Sequence, residues 1–273
     1  PVEVDITGTS AEENGLSVIS YETKKVTVTI QGNRSSIGSL SADDLVASAV
    51  VENVTSAGEK YLKINVISKK SDVKFDVTSV SPSTMAVMFD KIDTREFELS
   101  VEAPNIKAVE GLYMDNGDFK CTPNVIEVSG PSTQLDKIDK AAVIVNNEQE
   151  LDTAYTFHSS EVVLYDKNES KIDTKNITFN TNDFTIDIPV YMQKKLDLSY
   201  DLRYAPANFD ADSLSLEMNV NTINVASPNT ELEKINTWNI GSIPLYDIDW
   251  DFNKSFELEI PENYKNLSNI STV

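Results

Sequence analysis

One cysteine and one histidine in 273 residues leave little side-chain chemistry for this chain to use. Cys121 alone can close no intrachain disulfide and build no thiolate metal cluster, so it reads as a small buried hydrophobe. His158 lacks a G-x-S-x-G element or a cysteine partner and reads as a surface or edge residue. The nine glycines are scattered, without the G-x-x-x-x-G-K or G-x-G-x-x-G spacing that cradles phosphates. No apolar run reaches 18 residues, so no segment reads as a membrane-spanning helix. Positive charge is scarce as well: 23 Lys and Arg stand against 44 Asp and Glu, a net charge of −21. A field of that sign repels phosphate backbones and anionic lipid, which argues against nucleic acid as a partner. The chain opens on PVEVDITG, with neither a methionine nor a basic leader, and reads as a fragment whose anchor or signal lies upstream.

What the sequence does have is a phrase written more than once. VSGPSTQLDKID at 128–139 returns as VASPNTELEKIN at 225–236, with a fainter copy, VTIQGNRSSIGSL, at 28–40. Val128, Pro131, Thr133, Leu135, Lys137 and Ile138 match Val225, Pro228, Thr230, Leu232, Lys234 and Ile235. Each copy has one grammar. Alternating aliphatics read as a half-buried strand, and a Gly/Pro/Ser/Asn break ends it. Two apolar residues three apart then read as a helical turn laid on a core. In the first copy SADDLVASAV extends the turn into a short helix, with Ser41 as N-cap and Asp43 and Asp44 at its positive end. Gly32, Gly130 and Ser227 are expected at equivalent places just after a strand. A period of about 97 residues exceeds the 20–50 of solenoids, so the copies are tandem domains. They are placed at 1–93, 94–192 and 193–273.

Further strands are expected at 61–68, 74–80, 84–90, 161–166, 176–180 and 183–190, where Val, Ile, Thr, Phe and Tyr alternate with polar residues. The fold class is therefore mainly β, with a helical turn or two per unit. The third unit is expected to stop before its last strand, leaving an open sheet edge, with either a frayed, polar C-terminus or the edge filled by a neighbouring molecule. Asp247, Asp249 and Asp251 in DIDWDF are the weak candidate metal ligands. An EF-hand loop would need Gly and Glu where Phe252 and Leu258 stand. The favoured reading is a strand that exposes the aspartates and buries Trp250. No cofactor and no catalytic residue is assigned.

These features resemble the YbbR-like family of bacterial proteins. The residues that carry the likeness are PVEVDITG, GLSV, KKVTVTIQGNRSSIGSLSADDLVASAVV, GEKYLKINV and SVSPSTMAVMFD in the first copy. In the second they are EFELSVE, GLYM, PNVIEVSGPSTQLDKIDKAAVIV and FTIDIPVYM. The third keeps VNTINVASPNTELEKINT and YDI. The resemblance implies a small β-rich module similar in shape to the C-terminal domain of the ribosomal L25/TL5 proteins. It also implies tandem modules outside the cytoplasmic membrane of a Gram-positive-type bacterium, held by an N-terminal membrane helix that this chain lacks. The expected role is non-enzymatic: regulation of a membrane diadenylate cyclase, and so of cyclic di-AMP synthesis, by protein–protein contact. The alternative is a surface adhesion or wall-glycan binding module, which Trp238, Trp250 and Tyr191 gathered on one face would favour.

Overall fold

The computed structural model describes residues 1–71, 73–210 and 213–273. In chain order its first strands are β1 (Val2–Thr7), β2 (Ser17–Tyr21), β3 (Lys25–Gln31), β4 (Leu45–Val50), β5 (Gly58–Ser68), β6 (Asp76–Ser81) and β7 (Thr84–Asp90). There follow β8 (Ile92–Glu102), β9 (Ile106–Ala108), β10 (Leu112–Tyr113), β11 (Lys120–Thr122), β12 (Val125–Pro131), β13 (Lys140–Ile144), β14 (Gln149–Leu151), β15 (Tyr155–Ser159), β16 (Val162–Tyr165), β17 (Thr178–Phe179) and β18 (Phe184–Ile188). The last are β19 (Tyr191–Arg203), β20 (Thr222–Ser227), β21 (Thr237–Pro244) and β22 (Lys265–Asn266). The helices are single turns: α1 (Ser10–Glu13), α2 (Arg34–Ile37) and α3 (Ser132–Leu135). The chain is mainly β, as its alternation predicts.

Sheet order repeats with the sequence. In the first copy β4, β1, β3 and β6 are successive neighbours, with β1 antiparallel to β3 and parallel to β4. The order β13-β8-β12-β17 recurs in the second. In the third, β19 lies antiparallel to β20 and parallel to β21, and β20 pairs β22 on its far side. Each opening strand thus sits between the strand before the repeated phrase and the strand after it. A reversal of direction in so few residues requires a tight turn, and α2, α3 and a 3-10 turn at Thr230–Lys234 supply it.

By contacts the chain forms two compact units. One comprises 1–99, 125–141 and 163–182, and the other 100–124, 142–162 and 183–273. The second copy thus contributes strands to both. The first unit holds a core around Val26, Ala47, Ala49, Met85, Val87 and Phe89, all nearly inaccessible. The second unit's core is centred on Leu196, Ile223, Val225 and Leu232, with Trp238, Tyr264 and Val273 packed against it.

Three expectations are corrected. SADDLVASAV is no helix: Ser41 and Asp44 form a reciprocal capping box around a 3-10 turn, and Leu45–Val50 is strand β4. β1 on one side and β5 on the other bond its backbone, and Leu45, Ala47 and Ala49 point inward at period two. Sheet pairing here overrides the helix preference of alanine. DIDWDF is not a strand, because β21 ends at Pro244 and the chain curls through a 3-10 turn at Leu245–Asp247. Trp250 is therefore 93% exposed rather than buried. The C-terminus is not frayed either. The Phe256 N–H donates to the Val273 carbonyl at 2.8 Å and the Val273 N–H to the Phe256 carbonyl at 2.9 Å. Leu258, Ile270 and Val273 rest on the core, which is what orders this polar-looking end.

Candidate functional site

The repeated phrase is a structural joint. Leu135 and Leu232, its first apolar position, are 1% and 0% exposed. In the second and third copies a cation on the opening strand tethers the turn. Arg95 reaches Asp136 at 2.7 Å, and Lys194 donates to the Glu233 carbonyl at 2.7 Å and to Asn236 Oδ1 at 3.0 Å. Gly32, Gly130 and Ser227 sit at equivalent places at the end of the preceding strand. A Cβ on Gly32 would lie 2.9 Å from Ile37 Cγ2 in the turn and 3.3 Å from the Lys74 carbonyl, and one on Gly130 3.0 Å from the Asn176 carbonyl. In the third copy Ser227 fills this place and its hydroxyl donates to the Asn263 carbonyl at 2.9 Å. A close approach by the late segment of each copy thus explains two glycines and a buried serine. Asp90, 4% exposed, adds a joint of its own. It accepts from the Thr133 and Lys91 N–H groups at 3.1 and 2.7 Å and from the Thr133 hydroxyl.

The residues singled out from sequence do not converge. Asp247, Asp249 and Asp251 are exposed along the turn, and no group of three or more potential metal ligands occurs among the described residues. Cys121 is buried on β11, and desolvation pushes its thiol pKa up, away from the reactive thiolate. His158 is exposed on β15. Of the three aromatics, Trp238 packs edge-on against Tyr264 at the core, Trp250 is exposed, and Tyr191 belongs to a polar cluster.

That cluster escaped sequence reasoning. Lys265 on β22 pairs with Asp115 at 2.8 Å and with Asp118, and its ammonium lies 5.4 Å from the centroid of the Tyr191 ring. Tyr191 donates its hydroxyl to Asp118 at 2.6 Å. Burial, then the hydrogen bond to Asp118, pushes the Tyr191 pKa up to about 12. Burial alone would lower the Lys265 pKa, but the two carboxylates raise it further than burial lowers it. Asp115 is held low, first by Lys265 and then by the Gly117 N–H. Residues 150 positions apart meet here only because β10 and β20 both border β19. Nothing local in the sequence marks them. Beside the cluster opens a cleft of about 620 Å3 lined by residues of 117–120, 154–156 and 187–191. The arrangement is suited to holding and binding, with no nucleophile–base pair in it.

Residues 1–89 match the family model described as YbbR-like protein, a stretch that runs from β1 into β7. No curated protein matches. Among solved structures, a YbbR-like protein from Streptococcus pneumoniae TIGR4 is similar at 14% identity and a TM-score of 0.36, over 69% of this chain and 91% of that one.

Proposed function

We propose, from the match of residues 1–89 to the YbbR-like family model, that this chain is a non-enzymatic regulatory protein acting outside the cytoplasmic membrane by contact with a membrane partner. The partner is a diadenylate cyclase, whose output of cyclic di-AMP the contact adjusts. The observation that carries the reading is the match of the first copy to that family. Two features of the chain support it. The polar constellations of the repeats are spent on joints between strands, as in a scaffold that presents surface rather than a reacting centre. A net charge of −21 turns the chain away from phosphate-rich partners and toward proteins. The test is paired. Deleting the gene and restoring it should move cellular cyclic di-AMP in opposite directions, and the purified chain should bind the cyclase directly. Unchanged nucleotide levels together with no measurable binding would refute the proposal.

A further inference from the structure

In the third copy a strand that is interior elsewhere lies at an edge. The first copy's sheet runs β2-β7-β5-β4-β1-β3-β6, and the second copy's sheets run β11-β18-β15 and β16-β13-β8-β12-β17. In both, the strand after the repeated phrase is flanked on two sides: β4 by β1 and β5, β13 by β8 and β16. The outer neighbour is antiparallel each time. The register of β4 with β5 shows it in the first copy. In the second, the Asp139 N–H donates to the Tyr165 carbonyl at 2.8 Å and the Ile144 N–H to the Glu161 carbonyl at 3.0 Å. In the third copy β21 takes this place, and among the described residues it pairs only with β19. Such an edge is not the ordinary boundary of the repeat. Those boundaries are β2 and β6 in the first copy and their counterparts β11 and β17 in the second.

The open backbone groups follow from the ladder. The Asp197 N–H donates to the Asn236 carbonyl at 3.1 Å, and Asp197 stands opposite Thr237 in a parallel pair. Successive residues of a strand bond to opposite sides, so Trp238 turns its N–H and carbonyl to β19 while Thr237 and Asn239 turn theirs outward. Both residues are exposed, and their backbones have no other partner among the described residues. Further along, the edge is occupied. The Gly241 N–H donates to Asn239 Oδ1 at 2.8 Å, the Lys254 ammonium donates to the Ser242 carbonyl at 3.4 Å, and the Phe256 ring lies against Gly241. The stretch left open is complementary to itself. Across a two-fold axis at Trp238, Thr237 of one copy faces Asn239 of the other, and every outward N–H and carbonyl finds a partner. A two-fold contact brings a strand against itself antiparallel, the direction that β5 and β16 have. Charge favours the same occupant. Edges are commonly guarded by charged side chains, yet β21, TWNIGSIP, carries none. In a chain of net charge −21, whose copies repel one another elsewhere, this strand can meet its own copy without opposing like charges.

We propose that the chain forms a two-fold homodimer in which β21 pairs antiparallel with β21 of a second copy, Thr237 opposite Asn239. Each strand then fills, for the other, the place that β5 and β16 hold in the first two copies. The inference goes beyond the regulatory reading and does not depend on it, because self-association is measured without the cyclase. So short a ladder gives a weak dimer, with a Kd of about 10 μM to 1 mM. Sedimentation equilibrium of the whole chain from about 5 to 500 μM, in about 0.15 M salt to screen its charge, should show a monomer–dimer equilibrium in that range. Thr237→Pro removes an outward N–H that no intrachain bond uses, once from each copy, and should raise Kd at least about tenfold with the circular dichroism unchanged. In the unsubstituted chain, amide hydrogen exchange at Thr237 and Asn239 should slow as concentration rises, while exchange along β2 and β6 should not change. That measurement needs no variant, and it decides the matter if the proline substitution unfolds the copy. The proposal is overturned by a monomer at every concentration, which would leave the edge to a strand of a different protein. It is equally overturned by an unchanged Kd in folded Thr237→Pro protein, or by concentration-dependent protection that omits Thr237 and Asn239.

Discussion

Replacing Asp90 by alanine tests whether the joint between the first two copies rests on one carboxylate. Asp90 is 4% exposed and serves three donors: the N–H of Lys91, the N–H of Thr133 and the Thr133 hydroxyl. Hydrogen bonds to a charged group contribute about 1.5–3 kcal/mol each, and a buried donor left unmade costs about 1–3 kcal/mol. The losses are not additive, and removing a buried charge returns part of its desolvation cost. Asp90→Ala is therefore expected to destabilise by about 2–4 kcal/mol, and Asp90→Asn, which keeps one acceptor oxygen, by about half that. Thr133→Val keeps the shape and removes the hydroxyl, at about 1.5–3 kcal/mol. In a double-mutant cycle the pair should couple by about 1–2 kcal/mol. Both tryptophans lie in the other compact unit, so far-UV circular dichroism in urea is the appropriate probe, with the slopes compared to confirm a common unfolded state. An Asp90→Ala effect within about 0.5 kcal/mol, or a coupling of zero, would refute the reasoning.

The glycine-to-serine exchange among the copies predicts that Ser227→Ala costs about 1–2 kcal/mol, through the unsatisfied Asn263 carbonyl, in urea unfolding. Gly130→Ala should cost about 1–3 kcal/mol by crowding the Asn176 carbonyl, and a neutral result would mean that this segment gives way. Leu232→Ala, at a fully buried position of the repeated phrase, should cost about 2–5 kcal/mol, whereas Trp250→Ala should stay within about 0.5 kcal/mol. Equal effects would invalidate the packing assigned to that turn. The Asp44 carboxyl is held at about 2, below its ordinary 3.8, by the Ser41 N–H first and then by Lys70. Its contribution to stability is thus present above about pH 4 and lost as pH falls through about 2. Asp44→Asn should flatten the acid arm of the stability curve over that interval. An unchanged slope would show that the carboxylate has no such role.

Recurrence and alternation are local properties, and the sequence carries them. The copies at 28–40, 128–139 and 225–236 mark the same reversal of chain direction, and β5, β7 and β18 lie where alternating aliphatics place them. Alternation works there because one face of each strand must be buried whatever its neighbour is. Three features were decided only by the tertiary structure. LVASAV became a strand because β1 and β5 flank it on both sides, a contest that its own alanines could not settle. DIDWDF alternates as a strand should, yet among the described residues no strand pairs with it after Pro244, and Trp250 turns to solvent. The meeting of Lys265 with Asp115, Asp118 and Tyr191 depends on which strands become neighbours. Pairing between distant segments is a long-range choice made by burial and backbone hydrogen bonding together, and residue spacing along one strand does not encode it.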